Sequence, residues 1–123
     1  MGGVYRIGVA TSDGIVVNEH FGRASRFLIL DIEEDGSIRT VENRTVTPVC
    51  EGGNHDDEKL AENVKCLSDC RYLLVSRIGQ GAANALEQQG VLAYELPGII
   101  EESVQKLLSY VKIQSLLSWS DRE

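Results

Sequence analysis

The chain has 123 residues, 42% of them hydrophobic, and this size predicts a single domain, residues 1–123, with one core. Nineteen acidic and twelve basic residues give a formal net charge of -7, which argues against nucleic-acid binding because a phosphate backbone would be repelled. The chain has no run of about 18 apolar residues and opens without a signal-peptide pattern, so we expect no membrane contact and a cytoplasmic location.

The first half of the chain predicts an antiparallel meander. Strands are expected over residues 5–11, 27–32 and 38–46, the last with the alternation of a half-exposed edge strand. Ser12-Asp13-Gly14 and Glu34-Asp35-Gly36-Ser37 have turn composition. We expect residues 15–17 to pair back on the first strand as a hairpin.

The second half predicts alternating helices and strands. Residues 47–57 have the composition of a loop, and after them the hydrophobic period changes from two to about 3.6. The expected elements are a helix with Leu60, Val64 and Leu67 on one face, a strand over 72–76, a helix over 81–89, a strand over 91–94 and a helix from 100 to about 117. This order favours parallel crossovers. It predicts an α/β fold with a ribonuclease-H-like mixed sheet, in which an antiparallel meander is followed by βα crossover units.

The connection at residues 17–27 is polar and chemically specific, and it is the strongest candidate for a binding site. His20 can bind a metal through a neutral imidazole nitrogen, and Cys50 and His55 supply two further ligands on a glycine-rich loop. Their spacing does not match a zinc finger, so it favours an open site with few protein ligands. Alternatively, His20 holds the turn, Cys50 is a half-buried loop residue and His55 serves a helix entry.

The remaining polar signals are weaker. An odd number of cysteines, Cys50, Cys66 and Cys70, favours reduced thiols. Cys66 is expected on the flank of its helix and Cys70 in the core. Residues 76–81 lead from a strand into a helix and can offer backbone N–H groups to an anion, but an ordinary turn is the preferred interpretation.

Five segments together resemble the dinitrogenase iron-molybdenum cofactor biosynthesis family, over about residues 5–108. The segments are Asn18-Glu19-His20-Phe21-Gly22-Arg23-Ala24, Arg26-Phe27-Leu28-Ile29, Cys50-Glu51-Gly52-Gly53, Leu67-Ser68-Asp69-Cys70 and Ile78-Gly79. The resemblance implies a ribonuclease-H-like domain that is not an enzyme and that carries an iron-sulfur cluster or iron-molybdenum cofactor precursor as cargo. It also implies nitrogenase assembly proteins as partners and makes His20 the leading cluster ligand.

Together, the resemblance and the residue types define an expected binding set. Its metal ligands are His20, Cys50 and His55, and its further members are Asn18, Phe21, Gly22 and Arg23. Because such clusters are anionic and the chain is acidic, local positive charge is needed, and Arg23, Arg26 and Arg77 are the candidates.

A nuclease and an interaction module are the two functional alternatives to a carrier. A ribonuclease-H-like nuclease needs carboxylates around a divalent metal, with one on the first strand, and residues 5–11 contain none. A regulatory or protein-interaction module without a metal stays open, and in it His20 would be structural.

Overall fold

The computed structural model describes residues 5–48, 50–51, 54–55 and 57–121. For residues 50–51, 54–55, 57 and 113–121 we describe the backbone alone. In chain order the elements are β1 (Tyr5–Ala10), β2 (Val16–Val17), a 3-10 turn (Phe21–Arg23), β3 (Arg26–Ile32), β4 (Ile38–Thr45), β5 (Cys50–Glu51), β6 (Asn54–His55), α1 (Asp57–Cys66), β7 (Tyr72–Val75), α2 (Gln80–Gln88), β8 (Leu92–Glu95), β9 (Gly98–Ile99) and α3 (Ile100–Asp121).

A mixed sheet with the strand order β4-β3-β1-β7-β8 forms the centre of the protein. β3 is antiparallel to both β1 and β4, which confirms the predicted meander of three strands. β7 is parallel to β1 and to β8, which confirms the predicted crossovers. The coarse prediction of a mixed α/β fold is therefore correct.

One face of the sheet packs against α1 and α2. Alternate strand residues point to this side, among them Phe27, Ile29 and Leu73, and they are fully buried. From the helices come buried Val64 and Leu86, together with Leu67 just after α1 and half-buried Leu60. The apolar face predicted for the first helix is thus confirmed.

The two described cysteine side chains lie where the pattern predicted. Cys66 is exposed, whereas Cys70 is buried in the core beneath α1. Burial raises the pKa of the Cys70 thiol to about 12, because an apolar surrounding disfavours the thiolate. Cys70 is therefore a packing residue.

The opposite face packs against α3. Its core combines strand residues such as Val9, Leu30 and Leu74 with Val104 and Leu107 of the helix. A row of ring contacts crosses the same side, in the order Tyr5, Tyr72, Tyr94 and Tyr110, with ring centroids 5.5, 6.1 and 6.2 Å apart. The sheet is thus covered on both sides.

The predicted hairpin between β1 and residues 15–17 is wrong. β2 pairs instead with β9, with Val16 opposite Ile99 and Val17 opposite Gly98. Both edges of β1 are already taken by β3 and β7. The Asp13 carboxylate also accepts hydrogen bonds from the Ile15 and Val16 amides, at 2.8 and 3.1 Å, and so turns the chain away from β1.

Smaller differences concern strand and helix ends. Residues 47–57 were expected to be a loop, but β5 and β6 form a short antiparallel ladder within them. β8 begins at Leu92 rather than at residue 91, because the Val91 amide donates to the Leu86 carbonyl oxygen and so belongs to the end of α2. α3 continues to Asp121, beyond the predicted end near residue 117. No helix in the described ranges is long and apolar enough to cross a membrane.

Candidate functional site

The segments that carry the predicted site meet at one edge of the sheet. β1, β7 and β8 run parallel and end there, while antiparallel β3 begins there and β4 runs toward it. Residues 11–25, 46–48 and 76–79 therefore emerge together. In open α/β sheets this carboxyl edge is the usual place for a ligand.

Asn18 fixes the start of the candidate loop. Its side-chain amide donates to Ser12 Oγ at 2.9 Å, and its Oδ1 accepts from the Ser12 amide at 3.0 Å. The backbone amides of Asn18 and Glu19 both donate to the Ala10 carbonyl oxygen at 3.3 Å. Asn18 thus ties the loop to the end of β1.

Phe21 anchors the 3-10 turn in the core. Its side chain is 2% exposed, and its ring contacts Phe27 with centroids 5.9 Å apart. The Phe21 amide donates to the Arg77 carbonyl oxygen at 2.9 Å, and half-buried Gly22 follows within the turn. This places the residue before Phe21 at the surface in a defined position.

His20 occupies that position, with an exposed side chain. It forms a parallel bridge with Arg77, and its carbonyl oxygen accepts from the Arg23 and Ala24 amides at 3.1 and 3.0 Å. The turn is therefore held by the backbone of His20. Among the described residues we find no hydrogen bond to its imidazole.

Two arginines beside His20 have uncommitted guanidinium groups. Arg23 and Arg77 are exposed, and neither makes an ion pair or side-chain hydrogen bond within the described part of the chain. The other described arginines are engaged: Arg6, Arg39 and Arg44 in ion pairs, Arg26 with the Ser12 carbonyl oxygen, and Arg71 over the Tyr72 ring. The two described arginines without a protein partner thus both lie at this edge.

The N-terminus of α2 opens at the same edge. Gly79 is its N-cap residue, with no side-chain capping bond, and the first turn holds no acidic residue. A methyl group at Gly79 or Gly81 would meet no atom within 4 Å, so the backbone is accessible there. Uncapped N–H groups and the helix dipole favour an anion at such an end.

β5 and β6 bring the backbones of the other two predicted ligands to this region. Cys50 lies opposite His55 in their ladder, and β5 contacts the 3-10 turn that follows His20. The chain between β4 and β5 is held by a hydrogen bond from Asn63 Nδ2 to the Thr47 carbonyl oxygen at 2.7 Å. The side chains of Cys50 and His55 lie outside the described residues. Within those residues no group of three potential metal ligands occurs.

The sequence places Arg77 near His20 as a source of positive charge but predicts no backbone pairing for residues 76–77. They were interpreted as an ordinary turn, yet the Ser76 amide donates to the Glu19 carbonyl oxygen at 3.0 Å and Arg77 pairs with His20. The predicted parallel order of the strands would have indicated this pairing, because the segments that follow parallel strands leave the sheet at the same edge.

A family model described as dinitrogenase iron-molybdenum cofactor matches residues 3–110. The chain belongs to this family. A curated relative, protein NifX of Klebsiella pneumoniae, is 30% identical to this family member over 117 residues, which are 95% of this chain and 69% of that protein. The FeMo cofactor biosynthesis protein NifB of Frankia alni is 37% identical over 107 residues, which are 85% of this chain. The match spans only 21% of that NifB.

A solved structure supports the fold of this family member. The apo form of the orange protein from Desulfovibrio gigas superimposes with a TM-score of 0.60 and 21% sequence identity, over 89% of this chain and 91% of that one. At this identity the similarity concerns the fold alone. Family membership therefore rests on the sequence match, and the structure locates the motif residues within it.

Proposed function

We propose that this family member is a carrier, not an enzyme, which binds an iron-sulfur cluster or iron-molybdenum cofactor precursor and passes it to nitrogenase assembly proteins. The observation that carries the proposal is the meeting of three segments at one edge: His20, the ladder of Cys50 and His55, and the loop with Arg77. Family membership supports the class of cargo.

The proposed ligands suit such a cargo. Imidazole and thiolate are ligands for iron in clusters. His20 is exposed on a turn held by its own backbone, so the imidazole is available to an incoming cluster. A set of one to three ligands, His20, Cys50 and His55, leaves most cluster positions free, which favours release to the next protein.

The charge around His20 suits an anionic cluster. The uncommitted guanidinium groups of Arg23 and Arg77 and the uncapped end of α2 create a local positive potential on a chain of net charge -7. The Glu95 carboxylate accepts a hydrogen bond from the Ile78 amide at 2.8 Å and keeps its negative charge, so an anionic cargo beside it needs cations for balance. We therefore assign Arg23 and Arg77 to charge balance.

We also propose that the sheet is ribonuclease-H-like. The order β4-β3-β1-β7-β8, with a meander followed by crossovers, supports this. A nuclease role has no such support, because β1 carries no carboxylate. Asp31 on β3 is bound by Arg6 and Arg39, at 2.8 and 2.9 Å, and is not free to hold a metal.

The ligand test uses protein purified without oxygen and titrated with isolated iron-molybdenum cofactor, and separately with a cluster assembled from ferrous iron and sulfide. Replacing His20 with Ala should weaken binding by about tenfold or more, since it removes a ligand but no core volume. Cys50→Ala should do the same. Lys106→Ala, an exposed change on α3, is the control.

Circular dichroism establishes that each variant is folded. Undiminished binding by the His20→Ala, Cys50→Ala double variant would refute the ligand set. If the unmodified protein binds neither probe, the carrier function itself is wrong, and the interaction module without a metal becomes the better hypothesis.

The charge test compares arginine changes at the two ends of the sheet strands. Arg23→Ala with Arg77→Ala should weaken binding of isolated iron-molybdenum cofactor and flatten its dependence on salt, because two cations beside the cargo are lost. Arg71→Ala, at the start of β7 and thus at the opposite edge of the sheet, should change neither. If Arg71→Ala weakens binding as much as the Arg23→Ala, Arg77→Ala double variant does, Arg23 and Arg77 do not belong to the site.

A further inference from the structure

Ser12, in the turn after β1, is hydrogen-bonded to both ends of the segment that carries His20. The Ser12 amide donates to Asn18 Oδ1 at 3.0 Å, and Ser12 Oγ accepts from Asn18 Nδ2 at 2.9 Å. The Ser12 carbonyl oxygen accepts from the guanidinium of Arg26, the first residue of β3. All three polar groups of one residue are thus engaged, and residues 18–26 form a loop whose start and end are fixed at the same point.

The position of Ser12 is itself well defined. It follows Thr11, which is 1% exposed and comes directly after the central strand β1. The Thr11 hydroxyl oxygen accepts from the Gly14 amide at 3.0 Å, and the Asp13 carboxylate accepts from the Ile15 amide at 2.8 Å. Side chains on both sides of Ser12 therefore fold the turn, and the loop is tied to a fixed part of the sheet.

His20 lies between two buried anchors that belong to opposite layers of the core. Val17 is 1% exposed and packs on the α3 side, whereas Phe21 is 2% exposed and packs on the side of α1 and α2. Residues 18–20 connect the two layers across the edge of the sheet. Within this connection, Asn18 is the residue whose side chain is hydrogen-bonded to the described part of the chain. Its pair with Ser12 therefore supplies the side-chain support for His20, two positions later.

We propose that Ser12 and Asn18 are positioning residues, which keep the exposed His20 imidazole in place for an incoming cluster. The inference rests on the proposed function, in which His20 is a ligand. Both polar atoms of the Asn18 side-chain amide are bonded to Ser12, so Asn18 acts through His20 and not by binding the cargo. A ligand whose loop is held before binding loses less conformational freedom when the cargo arrives. Groups that orient a metal ligand raise affinity in the same way.

The first test needs no cargo. Hydrogen exchange, measured by NMR on the unliganded protein, reports how firmly the loop is held. The Glu19 amide donates to the Ala10 carbonyl oxygen at 3.3 Å. In Asn18→Ala this amide should exchange faster by about three- to tenfold, because two hydrogen bonds that hold the loop are lost. The urea midpoint should change little, since the lost contact is exposed and both buried anchors stay.

The second test measures affinity for isolated iron-molybdenum cofactor in the absence of oxygen. Asn18→Ala should weaken binding by about three- to tenfold. Ser12→Ala should also weaken it, whereas Ser12→Thr keeps the hydroxyl and should bind as the unmodified protein does. Ser109→Ala on α3 is the matched control, because it also removes an exposed hydroxyl, one that donates to the Gln105 carbonyl oxygen at 3.1 Å. It should leave binding unchanged.

A double variant decides whether Asn18 acts through His20. In the His20→Ala background, adding Asn18→Ala should not weaken the residual binding further, because no imidazole is left to position. A further loss as large as the one measured with His20 present would mean that Asn18 contacts the cargo directly, and the proposal would be overturned.

Two other results would overturn the positioning role alone. One is an unchanged exchange rate of the Glu19 amide in Asn18→Ala, and the other is binding by Ser12→Thr that is as weak as that of Ser12→Ala. If the unmodified protein binds no cofactor, the proposed function has failed and the positioning role falls with it.

Discussion

Gly8 is required by the close approach of β1 to the side chains of β7. A Cβ atom at this position would lie 2.7 Å from Leu73 Cδ1 and 3.5 Å from Cys70 Sγ, in a fully buried environment. Gly8→Ala is therefore expected to lower the free energy of unfolding by about 1–3 kcal/mol, the usual cost of overpacking. Urea denaturation measures the change.

Gly81→Ala is the matched control. Its added methyl meets no atom within 4 Å and lies in α2, where alanine is favoured over glycine by up to about 1 kcal/mol. It should leave stability unchanged or raise it. If Gly8→Ala is as stable as Gly81→Ala, the Leu73 side chain can adopt another rotamer at no cost in stability, and the prediction is wrong.

The sequence identifies the residues around His20 as a group, but it does not distinguish those that hold the loop from those available to a ligand. Asn18, Phe21, Gly22 and Arg23 were all assigned to binding, and that assignment stays a prediction. The structure gives Asn18 and Phe21 contacts within the protein, to Ser12 and to Phe27, and leaves His20 and Arg23 exposed. Sequence pattern cannot distinguish these cases, because a polar loop side chain can turn to either side.

A network of ion pairs links β1, β3 and β4 with the turn before β7. Arg6 of β1 binds Asp31 of β3, at 2.8 Å, and Asp69 before β7, at 3.0 Å. Arg44 of β4 binds Asp69 at 2.6 Å. The Arg6 guanidinium lowers the pKa of Asp31, and Arg44 lowers the pKa of Asp69. The network thus joins the meander to the crossover unit.

These shifts predict a loss of stability in acid. Both carboxyls bind protons more weakly in the folded chain than in the unfolded chain, where an Asp titrates near 3.9. The stabilisation is therefore present above about pH 4 and is lost as the pH falls below it. Urea midpoints measured from pH 7 to pH 2 should fall in that window.

Asp31→Asn should flatten this acid dependence and lower the free energy of unfolding at pH 7 by about 1–3 kcal/mol, because a buried charged acceptor is lost. Glu87→Gln, an exposed change on α2, should keep the slope of the unmodified protein. An unchanged slope in Asp31→Asn would mean that other carboxyls cause the acid sensitivity.

The long helices and strands could be predicted from the sequence, but the pairing of the two-residue strands could not. α3 and the strands of the meander have several periods of hydrophobic pattern, and their bounds agree within a few residues. β2 and β9 have two residues each, too few for a period, and their partner is about 80 residues away in the chain. The β5–β6 ladder is equally short, so tertiary contacts decide such pairings.

The whole molecule has two apolar layers that share one sheet. Leu86 lies in the layer beneath α2 and Leu107 in the layer beneath α3, both fully buried. Because the same strands contribute to both layers, we expect a single cooperative unfolding transition. Leu86→Ala and Leu107→Ala should each lower the free energy of unfolding by about 2–5 kcal/mol and keep one transition.

Circular dichroism and hydrogen exchange together measure this. The exposed change Gln88→Ala provides the baseline. A second transition in either leucine variant, with exchange protection lost on one face alone, would show that the layers unfold separately and would contradict the prediction of a single domain.

In the whole molecule, the meeting of two of the candidate loops could be predicted from the sequence, whereas the third segment that joins them could not. The sequence predicted that the loop with His20 and the loop after the last meander strand meet, and β5 does contact the 3-10 turn. The role of Arg77 in pairing with His20 was missed, because hydrophobic period identifies strands without giving their neighbours.

The central position of β1 has a consequence for synthesis on the ribosome. Its neighbours are β3, about 20 residues later, and β7, which is complete only at Val75. While the chain grows, the meander can form first, but the edge of β1 that faces β7 stays unpaired until β7 emerges. An unpaired edge of this kind invites pairing with other chains. The nascent protein is therefore most prone to aggregate while residues 33–75 are being made.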